Sequence, residues 1–146
     1  MSRISISKVI QGGLLASLVM IIGEYVLSYW VLGEQWEMVL QSHNMPPMIP
    51  AIIGLFVFML IVLGLLMIWL YAAIVPRYGL GYRTALRAGL LIWFTVWYWG
   101  YSIPTIMGLL PAAMAMMAIN WGLVEVLLAA VLGAWLYKEK PENTPA

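Results

Sequence analysis

The chain has 146 residues, 64% of them apolar, and a mean hydropathy of +0.97. Only 9% are charged, against about 25% in an ordinary soluble domain, and so few charges do not cover a soluble surface of this size. The composition predicts a polytopic membrane protein. The lack of Cys excludes disulfides and thiolate sites, the single His excludes a bis-His haem or multi-His zinc site within one chain, and a net charge of +1 gives no indication of a nucleic-acid partner.

A membrane-crossing helix needs roughly 20 mostly apolar residues, and four segments reach that length. The first runs from about 9 to 32 and is interrupted by Glu24. Arg3 and Lys8 precede it as they would a signal peptide, but the run is too long for a signal h-region and no A-x-A-like site ends it. It reads as a retained helix. In the loop that follows, Trp36, Val39 and Leu40 share one helical face, which predicts a short surface-lying helix. The proline-rich stretch from Ser42 to Pro50 is then irregular. The second segment, about 50 to 75, contains no charge. The connection that follows, Pro76 to Thr84, is a turn signal with two glycines, and its basic residues suit anionic headgroups. The third segment runs from about 85 to 103, with Thr84 as its expected N-cap and Pro104 expected to end or kink it. Pro111 suits the first turn of the fourth segment, about 112 to 137, which Asn120 and Glu125 interrupt. Residues 138–146 read as a short cytoplasmic tail.

The charges orient this arrangement. Arg3, Lys8, Arg77, Arg83, Arg87, Lys138 and Lys140 all fall on one side of a four-span chain, while the loop between the first two spans carries only Glu34 and Glu37. By the positive-inside rule both termini are cytoplasmic. Gly13-Leu14-Leu15 and Gly89-Leu90-Leu91 open the first and third spans, and Trp69-Leu70-Tyr71 and Trp135-Leu136-Tyr137 close the second and fourth. These matches fit a tandem repeat of two helical hairpins. Interfacial aromatics and Leu-rich helices also produce such matches by chance.

Small or polar residues form a stripe in the first span, Gly13, Ser17, Met20, Glu24 and Ser28, and another in the fourth, Ala118, Gly122, Glu125, Ala129 and Gly133. Both keep one helical face and suit close helix approach. At about 1.5 Å per residue, Glu24 lies about 24 Å beyond Lys8 and Glu125 about 20 Å before Lys138. The two acids therefore lie at similar depth in the outer half of the membrane, with no Lys or Arg at that level. The expected outcomes are a neutral acid, a shared proton or a bound cation, with Ser28, Asn120, Tyr98 and Tyr101 as candidate hydrogen-bond partners alongside Tyr25. The plainer reading is two protonated glutamates that bond across helices and set their register.

Two weaker candidates remain. His43, flanked by Met45, Met48, Met114 and Met117, offers soft ligands for Cu(I), although methionine is more commonly an adaptable apolar filler. Trp93, Trp97 and Tyr101 form a ridge able to stack on a quinone, pigment or sterol-like ring, against the plainer reading of lipid-facing or packing aromatics. No cofactor is read from the sequence.

The stretch Trp69-Leu70-Tyr71-Ala72-Ala73-Ile74-Val75-Pro76-Arg77-Tyr78-Gly79-Leu80-Gly81-Tyr82-Arg83-Thr84-Ala85 resembles a pattern in a group of small, uncharacterised bacterial four-helix membrane proteins. The early Gly-Gly-Leu with a later acid, and the closing run from Gly133 to Glu139, are similar to the same group. The resemblance implies a bacterial source and the inner membrane, and it implies no activity and no site residues.

The fold expected is therefore an all-α, four-transmembrane-helix bundle forming a single domain. No nucleophile–base pair can be named, so an enzyme is not expected. Two functions fit: an accessory or assembly subunit of a larger membrane complex, such as a bioenergetic one, or a small oligomeric carrier of protons, cations or small molecules that uses the Glu pair. The expected partners are the lipid bilayer and either other membrane subunits or further copies of the chain.

Overall fold

A computed structural model describes residues 4–137. Arg3, Lys138, Lys140 and the tail 138–146 lie outside the described residues. All the regular structure of the described residues is helical, and three helical stretches are long and apolar enough to cross a membrane: Ile6–Val31, Pro50–Tyr78 and Ala112–Leu136. A further continuous helical run, Tyr82–Ile106, is rich in Trp and Tyr and is not one of them.

Helix α1, Ile6–Tyr25, continues without a break into a π-helical segment, Val26–Val31. A π-turn holds extra backbone per turn, so the residues after it point in a different direction from those of an uninterrupted α-helix. The shift is visible in Leu27 and Leu32, which are five residues apart, both buried, and joined by a 2.8 Å bond from Leu32 N to Leu27 O. Helix α2, Gly33–Ser42, follows with Trp36, Val39 and Leu40 half-buried. After an irregular stretch, α3 spans Pro50–Tyr78, with Pro50 in its first turn, where a missing N–H is harmless. Pro76 lies inside the last turn of α3, and the helix stops at Gly79, which has a φ of +78°. The expected end at 75 is therefore passed by one proline-containing turn, whose missing N–H removes only one bond.

Helix α4 spans Tyr82–Trp93, a second π-helical segment Phe94–Tyr98, and α5 Trp99–Ile106. The expected cap, Thr84, lies inside the first turn of α4 instead. Gly81, with a φ of +133°, takes the cap position, because a backbone turned that far tolerates only glycine. The buried hydroxyl of Thr84 reaches back to Gly79 O at 2.7 Å and thereby ties the helix to the turn. Pro104 does not end its helix, which runs on to Ile106. Helix α6 spans Ala112–Leu136, with Pro111 immediately before it.

Helices α1, α3, α4 and α6 pack side by side. α1 lies between α3 and α6, and α4 touches the same two helices from the other side. Glycine decides how close they come. A Cβ on Gly12 would strike Gly133 O, and one on Gly133 would lie 2.7 Å from Gly12 O, so α1 and α6 meet backbone to backbone there. Gly13 is turned instead toward α3, where a Cβ would lie 2.8 Å from Leu65 Cα. Ser17 belongs to this second contact: its hydroxyl lies between Gly13 O at 2.8 Å and Ile61 O at 3.1 Å. The first-span stripe is thus divided between two neighbours, α3 and α6. The stripe on α6 stays whole: Ala118, Gly122, Glu125, Ala129 and Gly133 are all buried.

The larger core fills the half of the bundle that holds both ends of the described chain. It contains Val9, Ala16, Met20, Met67, Ile68, Ala85, Ala130 and Ala134, and it is closed by an edge-to-face pair of Tyr71 and Tyr137 with ring centres 5.7 Å apart. The Tyr71 hydroxyl also accepts a 3.2 Å bond from Gly81 N in the turn. A smaller core lies at the other end, where Leu27, Leu32, Met114 and Ala118 meet under α2.

Candidate functional site

Between the two cores the bundle carries its acids. Glu24 stands on the last turn of α1, immediately before the π-helical segment, and Glu125 stands midway along α6. Each carboxyl group receives an indole N–H. Trp97 Nε1, from the second π-helical segment, donates to Glu24 Oε1 at 2.9 Å. Trp121 Nε1, four residues before Glu125 on the same helix, donates to Glu125 Oε2 at 3.0 Å and lies 3.2 Å from Gly23 O. The Trp97 bond links α1 to the α4–α5 run, two elements that α3 and α6 otherwise separate.

Two glycines make room for these groups. A Cβ on Gly23 would collide with the carboxyl group of Glu125, and one on Gly122 would collide with the indole of Trp97. Neither glycine has a positive φ, so what their small size serves is clearance. Glu125 is 5% exposed, and its Oε1 has no hydrogen-bond partner. Glu24 is half-buried, and the hydroxyl-bearing ring of Tyr101 is close enough to interact electrostatically with both carboxyl groups. Tyr101 also packs against both hydrophobic cores, so it stands at their junction.

The site is chemically simple. It offers carboxyl oxygens, two fixed N–H donors and a phenol in an otherwise apolar interior. A buried oxygen without a partner is costly, by about 1–3 kcal/mol and more if charged, and a proton or an oxygen-seeking cation would relieve it.

Of the residues expected at the site, Glu24, Glu125 and Tyr101 come together. Ser28 is half-buried and lies within the π-helical segment, beyond the change of register. Tyr98 is exposed and stacks on Phe94, ring centres 5.1 Å apart. Asn120 is exposed and donates its Nδ2 to Met116 O at 2.7 Å on its own helix. His43 is exposed, with Nδ1 2.8 Å from Val39 O, and borders a cavity of about 390 Å³ between α2 and the Gly108–Pro111 turn. Met45, Met48 and Met117 are exposed, whereas Met114 is buried in the smaller core. Among the described residues no three His, Cys, Asp or Glu side chains form a metal-holding group.

Trp97, Trp121, Gly23 and Gly122 were not legible as partners of the acids. Trp121 had a usable signal, since residues four apart on a helix are neighbours. Trp97 was visible only as part of the aromatic ridge. In the structure Trp93 donates to Ile119 O at 2.8 Å and Trp97 to Glu24, so the ridge turns its indole N–H groups toward the bundle.

No protein-family model, curated protein or solved structure matches this chain.

Proposed function

We propose that the chain is a four-span protein of the bacterial inner membrane with both termini in the cytoplasm. In this reading it serves without enzymatic activity as an accessory or assembly subunit of a larger membrane complex, for which a bioenergetic complex is the natural setting. The observation that carries the reading is the first half of α3. Ile52, Ile53, Leu55, Phe56, Phe58 and Met59 are all exposed and together cover more than half of the helix circumference. A helix that is apolar all round and uncovered by its own chain suits lipid on one face and a partner subunit on another. The backbone contact of Gly12 with Gly133 weighs the same way, because it leaves no room between α1 and α6 for a path from the acids to the chain ends.

Native detergent extraction tests this reading. The chain should migrate with other polypeptides, and migration alone or only with copies of itself overturns the subunit role.

A second reading is favoured by one observation, the partnerless Glu125 Oε1. It makes the chain a homo-oligomeric carrier of protons, cations or small molecules. Four helices form a narrow bundle, so a path would run between copies. Glu24→Gln and Glu125→Gln should then abolish flux in liposomes. Undiminished flux in the variants, or none in the wild type across an ion panel, overturns it.

A further inference from the structure

We propose that Glu24 and Glu125 form one exchangeable monovalent-cation site, in which Glu125 Oε1 is the position that the proton or alkali cation occupies. The inference rests on the same acids as the carrier reading, but it requires binding and exchange only, not passage through the membrane.

The geometry argues it in three steps. First, two of the four carboxyl oxygens of the pair hold an indole N–H: Trp97 serves Glu24 Oε1 and Trp121 serves Glu125 Oε2. Glu125 Oε1 is buried and remains without a partner. Second, among the described residues no Lys or Arg stands near the pair. The titratable side chains on the elements around the pair at this level are Tyr101 and Tyr98, with Tyr25 next to Glu24. Lys8, Arg77, Arg83 and Arg87 stand at the opposite ends of α1, α3 and α4. Third, the donor set is small, and with one acid keeping its proton the pair carries a single negative charge. No thiolate or imidazole stands at the pair for a transition metal, one proton satisfies Glu125 Oε1 outright, and an alkali cation would complete its oxygen shell with water.

Entry is from the Glu24 side. Glu24 is half-buried whereas Glu125 is almost fully enclosed, and the way toward the chain ends is closed by the glycine contacts between α1, α3 and α6. Glu24 is thus the acid that a cation meets first, and Glu125 the one that retains it.

The test uses the purified full-length protein and dicyclohexylcarbodiimide, an apolar reagent that attacks protonated carboxyl groups in membranes. The acid gives its proton to a carbodiimide nitrogen, its oxygen adds to the central carbon, and acyl migration leaves a stable N-acylurea. Peptide mass spectrometry should find the adduct on Glu125, Glu24 or both, and labelling should fall by about tenfold per pH unit once the acid titrates. At fixed pH, Na⁺, K⁺ and Li⁺ are compared with choline at equal ionic strength. Protection by an alkali cation identifies that cation as the ligand, and labelling that responds to pH alone identifies the proton, so either result supports the site. Absence of an adduct on both glutamates overturns the inference, as does an adduct indifferent to both pH and cations. Failure of flux alone would remove the carrier reading and leave this labelling intact.

Discussion

The two halves of the bundle are built on opposite rules. Near the chain ends, small residues bring backbones into contact. Gly12 meets Gly133, Gly13 meets Leu65, and Gly64 is so close to Ser17 that a Cβ would strike its hydroxyl. Around the acids, glycine clears space for a side chain, with Gly23 facing the Glu125 carboxyl group and Gly122 facing the Trp97 indole. The first arrangement maximises dispersion contact between helices that gain little from hydrophobicity inside a bilayer. The second accepts large polar side chains and holds them with directed hydrogen bonds. Both π-helical segments lie at this end of the bundle, and a π-turn commonly marks a place where side-chain direction matters more than regularity. The same residue type therefore does two jobs, and only the neighbours tell them apart.

That contrast is open to direct attack. The largest effect is expected from Gly133→Leu, which forces a side chain against Ile68 and the Gly12 carbonyl, and the backbone oxygen cannot yield without parting the helices. It should destabilise the protein by about 3 kcal/mol or more, read as a lost or much lowered thermal midpoint in detergent. Gly23→Ala should do less, because the Cβ meets the end of the Glu125 side chain rather than backbone. A loss of about 1–2 kcal/mol is expected, with a changed tryptophan emission as Trp121 follows Glu125. If Gly23→Ala proves as harmful as Gly133→Leu, the distinction between contact and clearance glycines fails.

Trp97→Phe keeps a ring over Gly122 but removes the N–H from Glu24, and should lower stability by about 1–2 kcal/mol. Trp93→Phe removes a bond to a backbone carbonyl and should cost about 1 kcal/mol. Equilibrium unfolding of the two variants side by side measures whether the bond to the acid is the stronger. The smallest effect is expected from Asn120→Ala. Its side chain is exposed and bonds only to its own helix, so the thermal midpoint should correspond to a change within about 0.5 kcal/mol. A large loss there would mean that Asn120 meets a partner that this chain alone does not provide.

Much of this organisation is readable in the residues. The stripe on α6 follows from its four- and three-residue steps, and all five of its members are buried. That a short helix follows the first span was legible from three apolar residues on one face. The stripe on the first span was only partly legible. Gly12 and Gly13 are adjacent, and their sequence does not reveal that one serves α6 and the other α3. Ser28 falls on the Glu24 face only if the helix stays regular, and the π-helical segment breaks that assumption. Periodicity can be extrapolated along a helix only as far as the hydrogen-bond register holds.

Composition and spacing by themselves determined that this is an all-helical chain with apolar segments of membrane-crossing length, and that it carries two acids where a charge is expensive. Those conclusions depend on local chemistry: helix period, side-chain polarity and the distance per residue. Only the tertiary structure decided what stands against the acids. Trp97 is 73 positions from Glu24 in the chain, and Gly23 lies 98 from Trp121. Contacts over such separations are set by which helices pack together and at what rotation, and neither is written in a local pattern. The fold brings one indole to each carboxyl group and leaves one buried oxygen unserved.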